Sequence, residues 1–136
     1  MPVHYAIDHE QQRIRTTCNG YVTFPEVAQH FQELRRDPEF CDGLDVLLDL
    51  SGCTSLPTAE QLRDVVGQIA SLGDRWRFGR CAIVTIDEAL FGMTRIFEVY
   101  AQDVFTGTDI FHSVEEGERW LNSLQELKKI GDRSRE

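Results

Sequence analysis

No motif in these 136 residues fixes a reaction. A Gly-rich phosphate loop is missing: Gly52 stands alone and Gly92 falls inside a helical pattern. Nucleophilic catalysis needs a Ser, Cys or Thr with a base and an orienting partner. None of His4, His9, His30 and His112 has a nucleophile motif beside it, and Glu88, Glu98 and Asp103 could pair only through the tertiary fold. An enzyme is not expected. Cys18, Cys41, Cys53 and Cys81 form no C-x-x-C pair and have no histidine at ligand spacing, so no metal and no cofactor are expected either. The chain has no apolar run near membrane-span length, which argues against integral membrane association. Its start, Met1 to Tyr5, lacks the basic and apolar regions of a signal peptide. A cytoplasmic location with reduced, core-filling thiols follows as the expectation. Basic residues are scarce and scattered: 14 Lys and Arg against 23 Asp and Glu give a net charge of −9. Binding phosphate requires concentrated cations, so a nucleic-acid partner is not expected.

What is present is ordinary globular composition, 41% hydrophobic and 27% charged, at a length that suits one domain. The period of the apolar residues alternates along the chain. Val3 to Ile7 and Arg13 to Thr17 alternate apolar and polar around His9 to Gln12, which predicts a hairpin. From Thr23 the spacing becomes helical, with Phe24, Val27, Ala28, Phe31 and Leu34 on one face. Thr23 and Glu26 have capping-box spacing, and Asp37-Pro38 ends the helix. His30 reads as a residue at the boundary of that face. Gly43 then releases the chain into a strand from Asp45 to Leu50, apolar enough to be covered on both sides.

A second helix carries Leu62, Val65, Val66, Ile69 and Ala70 and stops near Gly73. A strand from Cys81 to Ile86 follows, then a third helix capped by Asp87 and running to about Val104, as its periodicity indicates. A short strand spans Asp109 to Phe111. His112 reads as exposed, and Ser113 with Glu116 caps a last helix with Val114, Gly117, Trp120, Leu121, Leu124 and Leu127 inward. The expected fold is α/β, a single domain with a mixed, mostly parallel sheet of about five strands flanked by about four helices. The domain covers 1–127, and 128–136 form a polar tail.

Two places draw functional attention. The stretch from Leu44 to Arg63 is a strand, a Ser/Gly/Thr-rich turn and a capped helix start, and function in α/β sheets gathers at the carboxyl ends of strands. Cys53 falls in that turn. The third helix is unusually apolar: Ala89, Leu90, Met93, Ile96, Phe97, Val99, Tyr100, Ala101 and Val104 cover about 200° of its circumference, roughly twice the core-facing norm. Thr94, Arg95, Glu98 and Gln102 form the remaining polar stripe, with Phe91 interrupting it. Such a helix must cover the sheet and a second surface, which is a neighbouring helix, a partner subunit or an apolar ligand.

Asp37-Pro38 through Gly43, Leu48-Asp49-Leu50, the block from Phe91 to Glu98, Val104-Phe105 and Trp120-Leu121 resemble the small bacterial SpoIIAA-like proteins, related to STAS and SEC14 domains. The resemblance spans roughly Tyr5 to Leu124. It implies a mixed sheet flanked by helices, a cytoplasmic location and, for most members, no established activity. Relatives that antagonise anti-sigma factors are phosphorylated on a Ser that follows an Asp at the start of a helix. Laid on that pattern, Pro57 replaces the Asp, Thr58 replaces the Ser and Ala59 the small polar residue after it. Thr58 and Gln61 also have capping-box spacing, which gives the hydroxyl a structural role.

The leading expectation is a non-enzymatic binding or regulatory domain acting through protein contacts, as a homodimer or with another protein. Its candidate phospho-switch or partner turn is Ser51, Thr54, Ser55 and Thr58. The alternative is a carrier or sensor of an apolar small molecule or lipid, in a SEC14-like pocket of a few hundred Å³ beneath the third helix. Phe91, Met93, Ile96, Phe97 and Tyr100 are the candidate dimer surface or pocket lining.

Overall fold

A computed structural model describes residues 3–41, 43–71 and 78–123. Its elements are β1 (Val3–Asp8), β2 (Arg13–Gly20), α1 (Phe24–Arg36), β3 (Asp45–Cys53), α2 (Ala59–Ala70), β4 (Arg80–Val84), α3 (Glu88–Tyr100) and β5 (Gly107–Phe111). A fourth helix, α4, is described over 114–123. The strands form one sheet in the order β1-β2-β3-β4-β5, with β1 antiparallel to β2 and every other pair parallel. The order marches one way, and right-handed crossovers then put each connecting helix on the same face. Accordingly α1, α2 and α3 share the face that holds the main core, and α4 packs on the other with Leu47, Ala82, Val84 and Leu121. The α/β fold expected from the periodicity is the one observed.

Local chemistry explains the helix starts. The Thr23 N–H and hydroxyl both donate to the Glu26 carboxylate, at 3.1 and 2.8 Å, which opens α1. Thr58 accepts from the Gln61 N–H at 3.1 Å while Gln61 accepts from the Thr58 N–H at 2.9 Å, so Thr58 is the cap of α2. Asp87 caps α3 through the Leu90 N–H, and Ser113 caps α4 through the Glu116 N–H. Gly43, at φ +84°, makes the turn into β3.

The structure moves several predicted boundaries. β3 does not stop at Leu50: Gly52 and Cys53 pair with Asn19 and Gly20 beyond a register shift, so Ser51 to Cys53 belong to the strand and not to the turn. β4 ends at Val84, leaving Ile86 69% exposed. α3 ends at Tyr100 rather than near Val104; the chain turns over 101–104 and seats the Phe105 ring 6.3 Å from that of Phe97. Ala70 and Val114, both expected inward, are exposed. Gly73, Leu124, Leu127 and the tail lie outside the described residues.

The face under α4 is densely joined. Gly117 lets that helix approach closely, since a Cβ there would sit 3.0 Å from Leu47 Cδ1 and 3.4 Å from Val84 Cγ2. Leu121 and Arg13 are fully buried. The Arg13 guanidinium donates to Glu118 and, at 2.7 Å, to Asn122 Oδ1. Arg15 donates to Glu118 Oε1 and to Asp8 Oδ2, both at 2.7 Å. The Arg15 hydrogen bond, helped by the Arg13 charge, holds the Glu118 carboxyl below its usual range. Glu118 thus compensates a charge that burial alone would make prohibitively costly.

Candidate functional site

The opposite face is hollow. Val46, Leu48 and Leu50 point towards α1–α3 from a strand central to the sheet, yet all three are only half-buried. Leu47, one residue out of phase and beneath α4, is 2% exposed. The cause is a cavity of about 320 Å³ between the sheet and the three helices. Native interiors pack nearly as densely as crystals, so a void able to hold about ten water-sized groups is not ordinary looseness.

The cavity's floor is Ile14, Thr16 and Cys18 of β2, Val46, Leu48 and Leu50 of β3, and Cys81 and Ile83 of β4. Its roof is Val27, His30, Phe31 and Leu34 of α1, Leu62 and Val65 of α2, and Leu90, Met93, Thr94 and Phe97 of α3. Phe78 and Phe105, with ring centroids 5.4 Å apart, close the end beneath the C-terminus of α1. The exposed lining residues are Tyr21, Pro25, Leu56 and Gln61. All four lie where β2 and β3 end and α1 and α2 begin, so the mouth opens at the carboxyl edge of the parallel strands. No Asp, Glu, Lys or Arg is among the described lining residues.

The polar groups inside are few. Thr94 donates to the Phe91 carbonyl at 2.7 Å, and Ser55 accepts from the Val22 N–H at 3.0 Å, which ties the two sides of the mouth together. Thr16 is 3% exposed, and its hydroxyl oxygen has no hydrogen-bond partner. His30 is 8% exposed, with its ring centroid 5.3 Å from that of Tyr5 and 5.1 Å from that of Phe31. Burial pushes its imidazole down to about pKa 4, so it is neutral at ordinary pH. Cys18 is pushed up to about 12, chiefly by burial, and buried Cys81 is raised further, so both are protonated core thiols. Cys53 lines the mouth half-buried, and Cys41 is exposed rather than core-filling.

The expected site residues are divided by the fold. Met93 and Phe97 line the cavity; Phe91, Ile96 and Tyr100 are outside its described lining. Phe91 stacks on the exposed His112 ring, centroids 5.5 Å apart and planes 9° apart, with the Arg95 guanidinium 5.2 Å from its own centroid. Tyr100 lies under Arg63 of α2 at 5.5 Å. Thr94, read as part of the polar stripe, is 5% exposed and faces the cavity. The breadth of α3's apolar surface reflects the sheet, the neighbouring α2 and the cavity together. Of the hydroxyls, Ser55 lines the mouth, Thr58 caps α2, Thr54 is exposed, and Ser51 donates to Asp49 Oδ1 at 2.6 Å.

Sequence reasoning missed Thr16 and His30. Thr16 is in phase with Ile14 and Cys18 on one face of β2, and His30 stands three after Val27 and four before Leu34, the spacing of a core stripe. Both signals were available; a polar residue at an inward position was the clue.

Among solved structures, the chain is similar to an uncharacterised protein of the DUF3478 family from Shewanella loihica PV-4, whose crystal structure is described as having a SpoIIAA-like fold. The match covers 88% of this chain and 91% of that one, at 16% identity and a TM-score of 0.59. The fold is SpoIIAA-like. At that identity the likeness speaks for the SpoIIAA-like architecture alone. No family model matches the sequence, and no curated protein does. Among the described residues, no helix is long and apolar enough to cross a membrane, and no group of three or more His, Cys, Asp or Glu is placed to hold a metal ion.

Proposed function

We propose that this domain is a non-enzymatic cytoplasmic binding module that holds one apolar small molecule between the sheet and α1–α3. The observation that carries the reading is the cavity itself, about 320 Å³ with an uncharged, mainly apolar described lining. Ligand sites are typically concave, of a few hundred Å³, with apolar walls and a few placed polar groups. A cavity lined this way gains little from water and much from an apolar guest. Native mass spectrometry of freshly purified protein, with a denatured control, tests the reading. The expected result is a protomer carrying a small adduct, native or added as decan-1-ol, that vanishes on denaturation. A bare protomer that takes up no decan-1-ol overturns it.

A contact with a second copy of the chain, or with another protein, is the second reading, favoured by Val99, which is 62% exposed on α3. Large apolar side chains left in solvent on an otherwise packed helix mark contact surfaces when they cluster. Here the candidate Phe97 is 8% exposed and packs inward, which leaves Val99 as the exposed large apolar side chain of α3 on which this reading rests. A dimer mass that Val99→Asp converts to a monomer supports this contact, and a monomer in the wild type removes the homodimer.

A further inference from the structure

We propose that the guest is an uncharged amphiphile whose single hydroxyl or carbonyl head hydrogen-bonds to Thr16, on the His30 side of the cavity, with its apolar body under α2 and α3. The inference rests on the pocket reading above and names the class of molecule that fills it.

Four residues with an aliphatic hydroxyl line the cavity: Thr16, Thr23, Ser55 and Thr94. Thr23, Ser55 and Thr94 each have their hydroxyl in a hydrogen bond with the protein. Thr16 does not, although it is 3% exposed and lines the cavity. Buried polar groups are paired in the great majority of cases, and an unpaired one costs stability. A Thr at this position is therefore unexplained by packing, where Val would fill the same volume without the unpaired oxygen. The oxygen has almost no accessible surface in the empty chamber, so a guest meets it when the Thr16 side chain rotates about χ1, and a ligand atom that then completes the hydrogen bond explains the residue.

Position and charge narrow the head group. Thr16 pairs across the sheet with Tyr5 on one side and Leu48 on the other. His30 reaches down from α1 onto the same Tyr5. Thr16 and His30 therefore mark one polar corner of an otherwise apolar chamber. A neutral imidazole offers one donor and one acceptor, and a hydroxyl can do either, which suits an alcohol or a carbonyl. The described lining contains no cation, so an ionised carboxylate entering this chamber would be desolvated without a partner. Pure hydrocarbon would leave the Thr16 oxygen unpaired.

Matched probes on the full chain test this. Decan-1-ol, undecane and decanoate at neutral pH are titrated into the delipidated wild type, Thr16→Val and Thr16→Ser. One hydrogen bond in a buried site corresponds to roughly a tenfold change in affinity. The expected result is that Thr16→Val weakens decan-1-ol about tenfold, leaves undecane unchanged, and that Thr16→Ser restores the alcohol. Decanoate is expected to bind the wild type more weakly than decan-1-ol. Thr16→Val should fold at least as stably as the wild type without ligand, because it removes an unpaired oxygen. If the wild type takes up undecane and decan-1-ol and Thr16→Val alters neither, the anchor is wrong and the pocket stands. If the wild type takes up neither probe, the pocket reading and the anchor fall together.

Discussion

The two faces of the sheet are built from alternate residues of the same strands, and they end up with opposite interiors. Beneath α4, Leu47, Ala82, Val84 and Leu121 form one buried cluster, and Arg13 is hydrogen-bonded to Glu118 and Asn122. Beneath α1–α3, Val46, Leu48 and Leu50 border open space. One helix at close range fills its face; three helices around a chamber leave theirs hollow. The dense side stabilises the fold, and under the proposed function the other side is left free to hold a guest.

The largest effect is expected where the dense face depends on charge. Glu118→Leu leaves the fully buried Arg13 without its carboxylate and should cost about 3–5 kcal/mol, read as a loss in chemical denaturation. A loss below about 1 kcal/mol would mean that water reaches Arg13 and that the face is less closed than described.

Next is a matched pair of truncations. Leu121→Ala, at a fully buried position, should cost about 3 kcal/mol. Leu48→Ala should cost about 1 kcal/mol, because Leu48 already lacks neighbours on its cavity side and has fewer contacts to lose. Equal costs would contradict the difference between the faces.

The hollow face also carries a pH signature. His30 stays neutral in the folded chain down to about pH 4, whereas an unfolded chain protonates its imidazole near 6.5. Between those values the unfolded state binds the extra proton, so stability falls as pH drops from about 6.5 to about 4, by on the order of 3 kcal/mol, and this contribution levels off below. His30→Phe should flatten that slope. The Glu118 and Asp8 carboxyls are held below their ordinary range by Arg15, so their stabilisation is lost only at lower pH, through the carboxylate range. An unchanged slope between pH 6.5 and 4.5 in His30→Phe would place the imidazole in contact with solvent.

Most of the architecture was legible because it rests on local signals. Thr23 with Glu26, Thr58 with Gln61 and Ser113 with Glu116 mark helix starts, and all three caps form. The apolar β3 and β4 were readable as central strands. Ends set by tertiary pairing were not: β3 runs on to Cys53 because Asn19 and Gly20 offer it a partner strand, which no local pattern of Ser51 and Gly52 encodes. The cavity was anticipated under α3, and Met93 and Phe97 do line it, but its floor and its Thr16–His30 corner were not found. Periodicity tells which side chains point inward. It cannot tell whether the interior they face is full, because that depends on how far α1, α2 and α3 stand from the sheet. Phe91 and Tyr100 show the same limit: Tyr100 sits on the apolar arc of α3 and Phe91 interrupts its polar stripe, yet both are used by cation contacts, with Arg63 and Arg95 respectively.

The most direct test of the central claim is methyl NMR of the Ile, Leu and Val side chains during titration with decan-1-ol. The account predicts saturable shifts at Leu48, Ile83 and Val46 on the hollow face, with Leu47, Val84 and Leu121 unmoved. Shifts confined to exposed methyls such as Val99, or no saturable shift at Leu48 and Ile83, would contradict it.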